Sequence, residues 1–203
     1  MKVYFDVGAN FGTSSIPVAQ SEPDTIVYAF EPTPYLVLNL MSRTSKFKNY
    51  NIVPCAVSDF NGEADFHIAG QFDWGCSSLL KFSDDTLVNW PERTDFKVTQ
   101  TCKVKVITLK SFVLENKINS IDYLHVDTQG SDLNVLYGLE EYLSIVKEGT
   151  IEAANKPDIL YQGQNTTEEC VEFLKANNFE ICGIYSNDHH DHECNIHFKY
   201  NKN

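Results

Sequence analysis

The chain has 203 residues, 42% of them hydrophobic, with 28 acidic against 16 basic side chains and a formal charge of −12. That length suits a single domain with a full core, and charged and aromatic fractions of 22% and 12% exclude wholesale disorder. No apolar run approaches the roughly 20 residues of a membrane helix, and six cysteines without a C-x-x-C pair read as reduced, mostly buried thiols.

In chain order, Val3 to Gly8 is a β-rich run ending in glycine, and Gly12 opens a helical stretch to about Gln20, with Pro17 tolerable in its first turn. Thr25–Phe30 is a second strand, Pro34–Ser42 a helix, and Tyr50–Val57 a third strand, apolar in its centre as a strand buried on both faces should be. Asn61-Gly62 is a hairpin signal, with Ala64–Ile68 as an added antiparallel strand. Gly70–Phe96 has little periodicity but holds two tryptophans and three phenylalanines, the composition of an ordered lid or substrate wall.

Regular patterning resumes with a strand at Val98–Ile107, a helix at Leu109–Glu115 and a strand at Ile121–Val126. Asp132 is the expected N-cap of a helix running to Tyr137, and Gly138 its stop or kink. Val146–Ala153 is a strand, Thr166–Asn177 a helix and Phe179–Tyr185 a strand, with Cys194–Tyr200 closing the sheet as an antiparallel partner. The alternation predicts an α/β fold with a mostly parallel central sheet, an inserted hairpin and loop, and one domain over residues 1–203. The chain begins inside its first strand, which suggests a domain excised from a longer polypeptide. Met1–Asp6 has neither the basic nor the apolar region of a secretory signal, so a cytoplasmic location is expected.

The first strand–turn–helix unit reads Phe5-Asp6-Val7-Gly8-Ala9-Asn10-Phe11-Gly12-Thr13. Glycines there let a ligand approach the backbone closely. Glu31 lies at the end of the second strand, where a carboxylate can accept hydrogen bonds from both ribose hydroxyls of an adenosine. The spacing is not G-x-G-x-x-G, since Asn10 stands where the middle glycine belongs, and no G-K-[ST] is present to hold a triphosphate. Asp6 beside the loop suits a cofactor with an ammonium group, such as S-adenosylmethionine (SAM).

Five ordered blocks make the pattern specific. Phe5–Gly12, Tyr28-Ala-Phe-Glu-Pro32, Ala56-Val-Ser-Asp59 with Asn61-Gly62, Ser77-Ser-Leu79, and His125–Gly138 together resemble the FkbM family of SAM-dependent methyltransferases over roughly Val3 to Ala153. The resemblance implies a Rossmann-like class I methyltransferase fold and O-methylation, often of sugar or polyketide hydroxyls. It also implies that Asp6, Gly8, Ala9, Asn10, Gly12 and Thr13 surround the methionyl end, that Glu31 with Pro32 serves the ribose, and that Ala56, Val57 and Ser58 lie near the adenine. The family's Asp-x-Glu-Gly-x-Glu block is similar to Asp127-Thr-Gln-Gly-Ser-Asp132, with Gln129 replacing an acid and Asp132 shorter than Glu.

Methyl transfer to an alcohol needs a positioned oxygen and an acceptor for its proton. Asp127, at the carboxyl end of a central strand, is the first candidate base, and it could equally cap its loop or touch the cofactor. His125, two residues earlier, points to the same strand face and is the second candidate. Trp74, Ser77, Ser78 and Gln129 are candidate walls of the acceptor pocket.

Asp188-His-His-Asp-His-Glu193 reads as a solvated turn, because chain neighbours rarely converge on one ion. No metal ligands are assigned, although the requirement for a divalent cation stays open. The acidic surplus argues against nucleic acid and anionic membranes as partners. The expected activity is SAM-dependent O-methylation of a sugar or glycan hydroxyl, with a fused or partner glycosyltransferase as a natural companion. A polyketide, lipid or other small-molecule acceptor is the first alternative. A nicotinamide-dependent oxidoreductase and a non-catalytic SAM-binding module are the others.

Overall fold

The computed structural model describes residues 1–70, 74–94, 96–187 and 191–201, with Trp74 given by its backbone alone. The chain opens with β1 (Lys2–Val7), α1 (Ile16–Ser21), β2 (Thr25–Phe30), α2 (Pro34–Thr44) and β3 (Tyr50–Val53). A second set follows: β4 (Ala56–Val57), β5 (Gly62–Ala69), α3 (Thr86–Asn89) and β6 (Val98–Ile107). The chain ends with α4 (Leu109–Glu115), β7 (Tyr123–Val126), α5 (Asp132–Tyr137), β8 (Glu148–Ala154), α6 (Thr167–Ala176), β9 (Phe179–Ser186) and β10 (Glu193–Tyr200).

Seven strands form the main sheet in the order β3-β2-β1-β7-β8-β10-β9. From β3 to β8 the neighbours run parallel, whereas β10 is antiparallel to β8 and β9 is antiparallel to β10. Side chains alternate between the two faces of a strand, and both faces of the central strands are covered. Phe5, Val7, Phe30, Leu124, Val126 and Ile151 face α4, α5 and α6 in the largest core cluster. There the rings of Phe5, Phe30 and Phe112 meet edge to face, with centroids 4.9–5.7 Å apart. Leu124 is fully buried at its centre, so truncation to alanine should cost about 2–5 kcal/mol. On the opposite face Ala9, Ala19, Val27, Ala29, Leu40 and Tyr50 form a smaller cluster beneath α1 and α2.

The predicted third strand is two strands in two sheets. β3 ends at Val53, and β4 pairs in parallel with β6 in a separate three-stranded sheet, β4-β6-β5. Pro54 has no N–H to continue the ladder, and the Cys55 amide folds back onto the Val53 carbonyl at 2.9 Å. Asn61-Gly62 is likewise not a tight hairpin, because β6 lies between β4 and β5. The Asn61 side chain instead accepts hydrogen bonds from the Thr108 amide (3.0 Å) and the Ser111 hydroxyl (2.9 Å), pinning the start of α4. The expected N-cap of α5 moves by one residue: Ser131 occupies that position, and Asp132 turns its carboxylate back into the preceding loop.

The aperiodic segment is ordered where it is described. It contains a 3₁₀ turn at Trp74–Cys76 and the short α3. It packs Trp90 and Phe96 against Ile159, Leu160 and Tyr161 in an apolar cluster of its own. All six cysteines are free thiols. Among the described residues no helix is long and apolar enough to cross a membrane. The predicted turn at Asp188–Glu193 falls in part on residues 188–190, which lie outside the described residues.

Candidate active site

Strand order reverses between β1 and β7, and in open α/β sheets ligands bind beyond the carboxyl ends of the strands at that point. A cleft of about 540 Å³ opens there, lined by the ends of β1, β2 and β7, by β4 and by the inserted segment.

Backbone geometry shapes its floor. Gly8 has φ +82°, and a Cβ on it would sit 1.8 Å from the Asp127 carbonyl oxygen, so only glycine lets β1 and β7 approach this closely. The Gly8 and Ala9 amides both donate to the Phe30 carbonyl at 3.0 Å. The chain then turns through Asn10 at φ +50°. Glu31, 4% exposed, ties this turn to the end of β2: one carboxylate oxygen accepts from the Asn10 amide (2.8 Å) and the other from the Thr33 amide (2.7 Å). Burial pushes the Glu31 carboxyl above its ordinary range, and the two amides work in the opposite direction. Each oxygen keeps capacity for a further donor.

The catalytic candidates separate. Asp127 lines the cleft, with Gly8, Asn10, Glu31, Pro32, Ala56, Val57, Ser77 and Gln129 among the other residues on its walls. His125 and Asp6 do not line it. Asp6, fully buried, lies 2.9 Å from His125 Nδ1 through one oxygen and accepts from the Ser15 hydroxyl through the other. Burial lowers the pKa of His125, but its hydrogen bond to Asp6 and the charges of Asp6, Asp127 and Asp132 outweigh it, so the net direction is upward. Gly12, Thr13 and Ser58 also lie off the lining; Thr13 is exposed, and the Ser58 amide bonds to the Ile107 carbonyl at 3.0 Å.

Gln129 sits at the centre of an acidic cluster, in a loop at φ +60°. Its Nε2 donates to Asp127 Oδ1 at 2.7 Å and to Glu152 Oε2 at 3.0 Å. Asp132 accepts from the Thr128 amide at 2.5 Å and the Gly130 amide at 3.0 Å, and so shapes the loop that carries Asp127 and Gln129. Burial and the neighbouring Asp127 charge push the Asp132 carboxyl upward. Among the described residues no group of three or more His, Cys, Asp or Glu side chains is arranged to hold a metal ion.

The inserted segment is latched over this cluster. Ser77 lines the cleft, its hydroxyl accepting from the Ala69 amide at 3.1 Å. Ser78 is not on the cleft lining and donates to the Gln129 carbonyl at 2.7 Å. The buried Tyr161 hydroxyl lies within donating distance of the Cys76 carbonyl (2.8 Å) and Gln129 Oε1 (2.9 Å). The side chain of Trp74 lies outside the described residues.

Glu152 and Tyr161 are not among the site residues expected from the sequence. The signal for Glu152 is a charged residue within the apolar run Thr150-Ile-Glu-Ala-Ala154, because a carboxylate is rarely buried without a partner. Tyr161 lies in an irregular stretch with no such signal.

The cleft fits SAM. Asn10 Oδ1 is buried without a hydrogen-bond partner, an acceptor suited to an ammonium group. Glu31 has acceptor capacity for two ribose hydroxyls, and Phe30, Leu36, Val57 and Leu79 provide an apolar slot for a purine.

Residues 6–181 match the model of the methyltransferase FkbM domain. The chain is 27% identical over 184 residues to the 2-O-methyltransferase NoeI of Sinorhizobium fredii, covering 88% of this chain and 72% of that protein. Fibrillarin from Aeropyrum pernix, solved with natively bound SAM, superposes with TM-score 0.54 at 10% identity, covering 97% of this chain and 65% of that one. A putative methyltransferase from Streptococcus mutans, solved with S-adenosylhomocysteine (SAH), superposes with TM-score 0.53 at 10% identity, over 98% and 88%. These two likenesses concern the fold, which is that of the Rossmann-like class I methyltransferases. The family match removes the nicotinamide oxidoreductase alternative, and the chain belongs to the FkbM family of SAM-dependent methyltransferases.

Proposed function

We propose that the protein methylates a hydroxyl of a sugar or glycan, with Asp127 as the group that takes up the hydroxyl proton. The observation that carries this reading is the position of Asp127. Asp127 lines the same cleft as Glu31 and Asn10, with one carboxylate oxygen held by Gln129. Bound SAM supplies an electrophilic methyl group on a sulfonium. The chain's own contribution is to hold the acceptor oxygen in line with that methyl group and to accept the proton as the O–CH3 bond forms and the S–CH3 bond breaks.

Glu31 and Asn10 serve the ribose and the methionyl end. Gly8 and Ala9 shape the turn beside them, while Ala56 and Val57 flank the adenine. Asp6, with Ser15 and His125, supports the turn from behind, and the role of His125 is to orient Asp6. Ser77 and the inserted segment contact the acceptor, since hydroxyl groups match sugar oxygens, while the Gln129 amide is engaged with Asp127 and Glu152. NoeI, a 2-O-methyltransferase by name, supports a hydroxyl acceptor, and the charge of −12 speaks against a nucleic acid.

The test is incubation with labelled SAM and separate panels of sugar, polyketide and lipid hydroxyl acceptors, with and without magnesium, read by mass spectrometry. Methyl incorporation into sugars, lowered about 10²–10⁴-fold in Asp127→Asn with SAH affinity unchanged, is the expected result. Incorporation into lipids or polyketides alone would overturn the acceptor class. Full activity of Asp127→Asn would overturn the base.

A further inference from the structure

Glu152 is a buried carboxyl with no part in the chemistry described so far. It lies on β8, next to β7 in the sheet, 8% exposed. Both of its oxygens are engaged: Oε2 accepts from Gln129 Nε2 at 3.0 Å and Oε1 from Asn187 Nδ2 at 2.6 Å. The same Gln129 amide group donates to Asp127 at 2.7 Å. One –NH₂ thus bridges two carboxyls, one hydrogen to each, and the Gln129 carbonyl oxygen is 2.9 Å from the Tyr161 hydroxyl. An acid at position 129 would set a third carboxylate between the first two, where the amide instead links them.

We propose that Glu152 is a positioning residue for Asp127, acting through the Gln129 amide to fix the Asp127 rotamer. The inference rests on Asp127 as the proton acceptor. The groups facing Glu152 are Asp127 at the end of β7, Asp132 on α5 and Glu193 on β10, all acidic, with Tyr161 close by in the loop after β8. Burial first, and then the Asp127 charge, hold the Glu152 carboxyl well above its ordinary range. Loss of the Glu152 proton strengthens the hydrogen bond that it accepts from the Gln129 amide and so tightens the hold on Asp127.

The test is carbon NMR of the SAH-bound protein with ¹³C-labelled aspartate and glutamate carboxyls, in wild type, Glu152→Gln and Gln129→Met. The Asp127 carboxyl should give one sharp line in wild type and a broadened or split line in both variants, because the bridge that holds its rotamer is weakened or removed. Should Glu152→Gln fail to fold, Gln129→Met carries the test, since it leaves Glu152 in place and breaks the bridge. An Asp127 line that is unaltered in whichever variants fold overturns the proposal.

This measurement needs no acceptor, so its outcome is separate from that of the acceptor panel. With an active acceptor, the rate at saturation should gain a rising limb in wild type that Glu152→Gln lacks, with a loss of about tenfold above that limb. The KM for SAM should stay within about twofold. A loss by the same factor at every pH would show a purely structural role and overturn the proposal.

Discussion

Glu31→Gln separates cofactor binding from folding better than any other substitution in the cleft. The amide keeps the size of the side chain but has one acceptor oxygen in place of two, and its NH₂ group meets either the Asn10 or the Thr33 amide head on. A backbone N–H left unpaired there costs about 1–3 kcal/mol. Ribose recognition also loses one charged acceptor outright and the charge on the other. At about 1.5–3 kcal/mol for a hydrogen bond to a charged group, SAH binding should weaken roughly a hundredfold, with 1.4 kcal/mol per tenfold.

Thermal denaturation with and without SAH reads both effects together. At an SAH concentration a hundred times the wild-type Kd, ligand linkage stabilises wild type by about 2.7 kcal/mol and a hundredfold weaker variant by about 0.4 kcal/mol. For a chain of this length 1 kcal/mol moves Tm by about 2–4 °C. Wild type should therefore gain about 5–11 °C and Glu31→Gln about 1–2 °C, with calorimetry giving the matching Kd values. If the variant binds SAH within threefold of wild type and gains the full shift, Glu31 serves only the turn and the assignment of the ribose to it is wrong.

Gly8→Ala places a methyl group against the Asp127 carbonyl at a positive φ; strain and overpacking together should cost about 2–6 kcal/mol, measured by urea denaturation, and abolish SAH binding. Asp132 is raised from 3.8 to about 7 by burial and the Asp127 charge, so the folded state holds this proton more tightly than the unfolded state. Its stabilising contribution is then full below pH 4 and falls as pH rises toward 7. Asp132→Asn should be less stable overall yet show a shallower decline across that window in urea titrations. Tyr161→Phe removes the hydroxyl beside Cys76 and Gln129 and should raise the acceptor KM several-fold while leaving SAH affinity within twofold. An unchanged KM would show that the latch plays no part in acceptor binding.

The features legible in the sequence are those that short-range pattern encodes. Alternating strand and helix runs mark β1, β2, β7 and β8 because a strand buried on both faces must be apolar along its length, and Gly8, Glu31 and Asp127 stand at strand ends where the periodicity stops. Which sheet a short strand joins is a long-range matter: Ala56-Val57 continues the apolar run of β3, yet it pairs with Val106-Ile107, fifty residues away, and Pro54 was the one local sign of a break. The cross-strand bridge from Asp127 through Gln129 to Glu152 depends on β7 and β8 being neighbours, and spacing along the chain does not encode that. The same holds for Tyr161, whose hydroxyl reaches Cys76, 85 positions earlier.

The inserted segment shares a nucleus with the loop after β8, Trp90 and Phe96 packing on Ile159, Leu160 and Tyr161, distinct from the clusters that hold the main sheet together. A unit with its own apolar centre can open or be rebuilt without disturbing the rest, because local unfolding follows the boundaries of such clusters. Gly8, Asn10, Glu31 and Asp127 are anchored at strand ends of the main sheet, whereas Gly75, Ser77 and Leu79 of the cleft wall belong to the insert. The chain thus divides its site into a part borne by the sheet and an exchangeable one: a different loop grafted between β5 and β6 could alter what is methylated while leaving Gly8, Asn10 and Glu31 untouched.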